Sequence, residues 1–123
     1  MQEHPYLRVV SFRREGTVKT KQETVMDVSR RNLILGNPFI MKGDTEEERT
    51  RVIRQYRRVI EEDFEHKGEK FYACVGIARQ VLCGESIALS CWCAPKACHA
   101  DVIREKVLYL CTEEGRQLWE TTA

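Results

Sequence analysis

The sequence has no excess of charge of either sign and no long apolar run. Its 123 residues include 20 lysines and arginines against 19 aspartates and glutamates, a net charge of +1. Such a balance creates no global field that would recruit nucleic acid or an anionic membrane. A polyanion could therefore bind only through a local group of basic residues. No apolar stretch approaches the roughly 20 residues that span a bilayer, and the first residues lack the basic and apolar regions of a secretion signal. We therefore expect a soluble, cytoplasmic protein without a membrane partner.

Internal repeats, low-complexity segments and linker-like stretches are also missing from the sequence. The chain therefore predicts a single domain over residues 1–123, long enough to bury a hydrophobic core without disulfide support. In a reducing compartment its six cysteines do not predict three disulfides, so each must serve packing, metal binding or catalysis. We assign Cys74, Cys83 and Cys111 to packing, because each lies among apolar residues of a predicted helix.

Hydrophobic periodicity and turn residues predict a small α/β domain whose mixed or mainly parallel sheet is flanked by helices. The expected elements are a strand at 6–12, an exposed ribbon or edge strand at 17–25, a helix from 44 or 45 to 66–68, a helix from about 70 to 84, a strand at 87–91, a helix at 102–111 and a short helix from 112. At the first helix, Asp44 and Thr45 precede Glu47 and Glu48 by three residues, which predicts two overlapping capping boxes.

Reactive side chains are concentrated in one loop, Cys91-Trp-Cys-Ala-Pro-Lys-Ala-Cys-His99, which holds three of the six cysteines and one of the three histidines. This loop leaves the predicted strand at 87–91 and leads into the next helix. In α/β sheets, ligands bind beyond the carboxyl ends of the strands, where loops cross to helix N-termini. The sequence therefore predicts a site at this edge of the sheet.

A second loop, Leu35-Gly-Asn-Pro-Phe39, combines residues that specify a tight backbone path. Together with Tyr56-Arg57 and the run from Cys91 to Asp101, it resembles a small family of bacterial and phage proteins catalogued as domain of unknown function 4326. The resemblance spans roughly residues 7–110. It implies no settled activity, but it implies a bacterial or phage-infected host cell and two loops that meet at one site. Family members commonly have Gly-Arg where this chain has Ser29-Arg30-Arg31, which weakens any role inferred for Arg30.

One interpretation of the cysteine loop is catalytic. Cys98 lies at the start of a helix with Lys96 and His99 nearby, so dipole and charge stabilise its thiolate, the nucleophilic form. His99 is then a candidate acid or base, and Asp101 is placed to orient its ring or to receive a hydrogen bond. Cys93 is the alternative nucleophile or polarising group.

In the same interpretation the site binds a small polar ligand that resembles a nucleotide or nucleoside. The residues expected to contact this ligand are Gly36, Asn37, Cys93 and Lys96. Asn37 offers donors and an acceptor to a base or sugar, and the backbone amides of Ala100 and Asp101 are expected to cradle a phosphate or carboxylate. The sequence leaves open whether the ligand is transformed or only sensed.

The alternative interpretation is a zinc clip, in which a bound zinc ion holds the cysteine loop together. The protein would then be an interaction module that binds a protein or nucleic acid through another surface. The zinc ligands would be Cys91, Cys93, Cys98 and His99, because Cys91 and Cys93 project to one side of a strand and the other two return beyond the turn. Ordinary structural zinc sites instead draw ligand pairs from distant segments. A third interpretation needs no ligand: the cysteines fill the core and His99 caps a helix.

A locally basic helix gives weaker support to nucleic-acid binding. Five arginines lie between 49 and 58, but acidic residues at 46–48 and 61–63 flank them, as on a solvated helix face. Zinc is the single cofactor that the sequence suggests, and no oligomeric state is predicted.

Overall fold

The computed structural model describes residues 6–11, 23–92 and 96–120. Its elements are β1 (Leu7–Ser11), β2 (Glu23–Asp27), α1 (Glu46–His66), α2 (Glu69–Leu82), β3 (Ser86–Cys91), α3 (His99–Leu110) and α4 (Glu113–Glu120). Cys93 and residues 12–22, which include most of the predicted ribbon, lie outside the described residues. None of the described helices is both long and apolar enough to cross a membrane.

The three described strands form a parallel sheet in the order β1-β3-β2, so β3 lies in the centre. Ser11 lies opposite Cys91 and Asp27 opposite Ser90, so the carboxyl ends of all three strands share one edge. The predicted α/β class is confirmed, and β2 is an edge strand as expected. Hydrogen bonding continues beyond β2, because the Val28 amide donates to the Ser90 carbonyl at 3.0 Å.

The core lies between the sheet and the helices. Ile87, Leu89 and Cys91 on one face of β3 join it, while Ala88 on the opposite face is also fully buried. A central strand of a parallel sheet is buried on both faces in this way. From α1 the core receives the stripe Val52, Tyr56 and Ile60, as the periodicity predicts. Each fully buried aliphatic side chain contributes about 1.5–3 kcal/mol.

The ends of α1 follow the sequence signals in part. Thr45 Oγ1 accepts from the Glu48 amide at 3.1 Å, which confirms a side-chain cap. The Glu48 carboxylate does not close the capping box, because it accepts from the Lys42 amide instead. The helix ends at His66, and Lys67 takes the left-handed conformation with φ of 52°.

Two of the three cysteines assigned to packing contribute to it. Cys74 is fully buried, and desolvation raises the pKa of its thiol to about 12. Cys111 is half-buried beside the core, and desolvation also raises the pKa of its thiol. The assignment of Cys83 is wrong: it follows the last turn of α2 and is exposed. Apolar neighbours in sequence do not bury a residue at a helix end, where the backbone turns toward solvent.

Candidate functional site

A cleft of about 500 Å³ opens at the carboxyl edge of the sheet. Three segments form it: the loop after β2, the first half of α1, and the loop after β3 that leads into α3. Its lining residues are Ser29, Arg30, Arg31, Asn37, Phe39, Met41, Arg49, Val52, Ile53, Cys91, Trp92, Ala97, Cys98 and His99. The Gly-Asn-Pro-Phe loop and the cysteine loop therefore meet at one site, in the position where parallel sheets place their ligands.

Cys98 and His99 form a contact pair at the base of this cleft. The Cys98 thiol lies 3.3 Å from His99 Nδ1, and both residues are buried. The other ring nitrogen, Nε2, lies 2.6 Å from the backbone carbonyl of Val28. Tyr56 packs edge-on against the imidazole with ring centroids 5.0 Å apart. The ring is therefore held in one orientation by Val28 just after β2, Tyr56 of α1 and Cys98 at the N-cap of α3.

The Val28 carbonyl also sets the tautomer of His99. A carbonyl oxygen only accepts, so Nε2 must carry the proton and donate it. In the neutral ring Nδ1 is then the acceptor, and it faces the Cys98 thiol. This is the arrangement of a nucleophile, a base and a group that orients the base. The sequence predicted the pair but not the carbonyl, which lies 71 residues away along the chain.

Cys91 brings a second sulfur to the same place. It ends β3, and its Sγ lies 3.0 Å from the Sγ of Cys98. Both thiols are buried and line the cleft. In the described part of the chain, however, no group of three His, Cys, Asp or Glu side chains is arranged to hold a metal ion.

Asp101 caps α3 instead of orienting the histidine. Its carboxylate accepts from the backbone amide of Cys98 at 2.9 Å, while both nitrogens of the His99 ring have other partners. The expected phosphate cradle also differs: the Asp101 amide donates to the Cys98 carbonyl, and Ala100 is fully buried. Reciprocal capping within one turn competes with ligand binding for the same amides.

Gly36 and Asn37 shape the loop after β2. A Cβ on Gly36 would lie 2.5 Å from the carbonyl oxygens of both Ser29 and Asn32, and Gly36 is not among the residues that line the cleft. Asn37 lines the cleft but is largely engaged: its Oδ1 accepts from the Phe39 amide at 2.9 Å, and its Nδ2 donates to the Val52 carbonyl at 3.4 Å. Asn37 thus forms part of the wall of the cleft, and Gly36 allows the loop to take its closely packed path.

Lys96 lies outside the cleft lining. Its exposed ammonium group is 3.7 Å from the carboxylate of Asp44, near the start of α1. Cys93, the remaining residue predicted to contact a ligand, lies outside the described residues. The structure thus brings Asn37, Cys91, Cys98 and His99 together and leaves Gly36, Lys96 and Asp101 beside the lining.

Sequence reasoning missed the cationic part of the site. Arg49 donates to the Ala97 carbonyl at 3.3 Å and to Asp44 Oδ1 at 2.8 Å, so α1 and the cysteine loop hold it in place. Arg31 pairs with Asp27 at 3.0 Å. Arg30, for which the family resemblance weakened any inferred role, is exposed and lines the cleft. Its position between β2 and the Gly-Asn-Pro-Phe loop was the available signal, but only folding places it in the same cleft as Cys98.

The chain matches one family of known proteins. Neither the curated proteins nor the solved structures contain a match to the chain. The family described as a domain of unknown function (DUF4326) matches residues 10–108. This span contains both loops and every residue of the cleft lining. Because the match covers most of the chain, the protein belongs to the DUF4326 family.

Proposed function

We propose that the cleft binds a small anionic ligand of the nucleotide or nucleoside-phosphate class and holds it against Cys98 and His99. The observation that carries this proposal is the composition of one cleft: arginines, apolar side chains and an oriented cysteine–histidine pair line the same space. Its volume of about 500 Å³ lies within the range of small-molecule sites.

The charge of the lining favours an anion. Three arginines line the cleft, and none of its described lining residues is Asp or Glu. Guanidinium groups bind phosphate through two parallel hydrogen bonds, so they supply both charge and orientation. Arg49 and Arg31 each share their charge with an aspartate outside the lining. Arg30 makes no ion pair with the residues that the structure describes, which makes it the most informative of the three to change.

The apolar part of the lining favours a ligand that also carries a ring. Phe39, Met41, Val52 and Ile53 line the cleft, and Trp92 presents a half-exposed indole. An aromatic face binds a planar base by stacking, worth about 1–3 kcal/mol for each base. A purely inorganic anion would leave this surface unused.

Ligand binding is tested by calorimetric titration of the whole protein with nucleoside monophosphates, the matching nucleosides and inorganic phosphate. We expect at least one monophosphate to bind more tightly than its nucleoside and than phosphate. Arg30→Ala should weaken binding about tenfold, the loss of one charge-assisted hydrogen bond of roughly 1.4 kcal/mol. Arg54→Ala is the matched control, because Arg54 is exposed on α1 outside the cleft lining. Equal affinities of both variants would contradict the proposal.

Whether the ligand is transformed is a separate question for Cys98. The ligand that binds most tightly is incubated with the protein, and products are followed by mass spectrometry. If Cys98 is the nucleophile, Cys98→Ser should retain binding and lose product. Product formation by the variant would remove that role, and a ligand bound but unchanged by the unmodified protein would indicate a sensor.

The zinc clip stays the alternative, supported by the 3.0 Å contact between the thiols of Cys91 and Cys98. Metal analysis of freshly purified protein, before and after chelation, decides between the two. A clip predicts stoichiometric zinc and a lower unfolding temperature in chelator, because a structural metal contributes folding free energy. Our proposal predicts the same unfolding temperature with and without chelator.

A further inference from the structure

We infer that Cys91 and Cys98 form a redox-active dithiol that a low-molecular-weight disulfide converts into an intramolecular disulfide at the base of the cleft. The two Sγ atoms lie 3.0 Å apart and line the same cleft. A disulfide bond is about 2.05 Å long, so closure needs a displacement of only about 1 Å. Disulfides in reducing compartments are usually transient and serve catalysis or redox sensing, which suits a pair held this close without a bond.

The two thiols have different surroundings, and they therefore act in different steps of the thiol–disulfide exchange. Cys98 contacts His99 Nδ1 at 3.3 Å and lies at the N-cap of α3, where the helix dipole favours a thiolate. Cys91 ends the central strand, and its sulfur contacts the Cys98 sulfur. Cys98 is therefore the attacking thiol and Cys91 the resolving thiol.

The reaction balances in two exchange steps. His99 accepts the Cys98 proton, and the Cys98 sulfur attacks one sulfur of the small disulfide. A mixed disulfide forms on Cys98, and one small thiol leaves. The Cys91 sulfur then attacks the Cys98 sulfur, the second small thiol leaves, and the bond between Cys91 and Cys98 closes. The protein loses two electrons and two protons, and the small disulfide gains them as two thiols.

The remaining described cysteines provide internal references. Cys83 is exposed and should form a mixed disulfide with the small thiol. Cys74 is fully buried away from the cleft, with a thiol whose pKa is raised to about 12, and should stay reduced. Among the described cysteines, Cys91 and Cys98 are the pair that combines contact between two sulfurs with a position in the cleft lining.

The test maps disulfides in the whole protein after reduction, removal of the reductant, exposure to oxidised glutathione and alkylation. Trypsin cleaves after Arg79, Lys96 and Arg104, so Cys98 lies in peptide 97–104 and Cys91 in peptide 80–96. We expect a cross-link between these peptides, assigned by fragmentation to Cys91 and Cys98. If Cys98 stays reduced in a sample in which Cys83 carries glutathione, the inference is overturned, because the oxidant has then reacted at Cys83 but not at Cys98. A cross-link assigned to Cys93 would overturn it as well.

Single serine variants test the order of the steps. Cys91→Ser should trap one glutathione on peptide 97–104, whereas Cys98→Ser should form no cross-link between the two peptides. Cys93→Ser and Cys83→Ser are the controls and should keep the cross-link. Circular dichroism checks that each variant is folded. The disulfide mapping of the unmodified protein does not depend on the variants. The inference is independent of the nucleotide proposal, since no ligand takes part in the mapping.

Discussion

Gly36 shows how closely the loop after β2 is packed at its turn. The backbone carbonyls of Ser29 and Asn32 occupy the space that a side chain at Gly36 would need. Without that turn, Asn37 would not reach the Val52 carbonyl on α1. A residue predicted to contact the ligand thus acts by letting two backbone segments approach each other.

Gly36→Ala should therefore destabilise the protein. A Cβ would lie 2.5 Å from two backbone oxygens, and moving them costs about 1–3 kcal/mol. The midpoint of thermal unfolding measures the effect. Gly43→Ala is the matched control, because a Cβ there meets no atom within 4 Å. An unchanged midpoint for Gly36→Ala would mean that the turn is not as closely packed as described.

Tyr56 joins the two loops through a single side chain. Its hydroxyl donates to the Leu35 carbonyl at 2.7 Å, and its ring packs against His99. Burial strongly raises the pKa of this phenol, so it stays a donor. Tyr56→Phe should lower the free energy of unfolding by about 1–3 kcal/mol, because the buried carbonyl loses its partner. Chemical denaturation measures this, with exposed Tyr72→Phe as the control; equal losses would contradict the assignment.

At the scale of elements, the start of α2 is capped by a side chain of the preceding helix. Gly68, the N-cap of α2, has no side chain, and its place is taken by Asp63 of α1. The Asp63 carboxylate accepts from the amides of Phe71 at 2.7 Å and Lys70 at 3.3 Å. The end of one helix thus satisfies the free amides of the next.

Asp63→Ala should cost about 1 kcal/mol of stability, the usual effect of losing an N-cap. Equilibrium unfolding in urea measures it. Glu62→Ala is the control, because Glu62 is the exposed neighbour of Asp63 on the same helix. Similar losses in both variants would show that helix charge, and not capping, is responsible.

The start of α1 should make stability depend on pH. Arg51 and the Lys42 amide lower the pKa of the Glu48 carboxyl from 4.5 to about 2. A lowered pKa means that the ionised carboxylate stabilises the folded state above pH 4.5 and that this contribution is lost as the pH falls toward 2. The effect of Glu48→Gln on the unfolding temperature should therefore be largest near neutral pH and shrink toward pH 2. Glu47→Gln is the exposed control; a pH-independent difference would contradict the explanation.

At the scale of the whole molecule, a nearly neutral chain concentrates positive charge at one edge of its sheet. The net charge is +1, yet the cleft lining contains three arginines. Helix α1 contributes one of these three arginines. Other arginines of α1 form ion pairs away from the cleft lining, such as Arg57 with Glu105 on α3. The basic face of α1 is thus partly neutralised within the protein, whereas Arg30 at the cleft makes no ion pair with the described residues.

Binding of a nucleoside monophosphate should therefore weaken with salt, because ions screen the arginine charges. Between about 50 and 200 mM salt we expect the affinity to fall several-fold, and Arg30→Ala should reduce this dependence. Calorimetric titration at several salt concentrations measures both. The matching nucleoside serves as the uncharged control, and an equal salt dependence for both ligands would argue against a phosphate site.

Local patterns in the sequence were sufficient to predict most of the elements and the edge of the sheet at which the cleft opens. The stripe of α1, the cap at Thr45 and the strand that ends at Cys91 all depend on residues within a few positions of one another. The family also followed from short motifs. Where local composition competed with the geometry of a helix end, as at Cys83, the sequence prediction and the structure differ.

The sequence by itself thus determined the order and type of most elements and which loop carries the reactive side chains. Only the tertiary structure decided their partners: the Val28 carbonyl that orients His99, and Arg49, which reaches the Ala97 carbonyl across 48 residues. Helix and strand periodicities describe which face a residue occupies, but not which distant backbone atom that face meets. That choice depends on strand order and helix packing, because a long-range contact forms only when the whole core assembles.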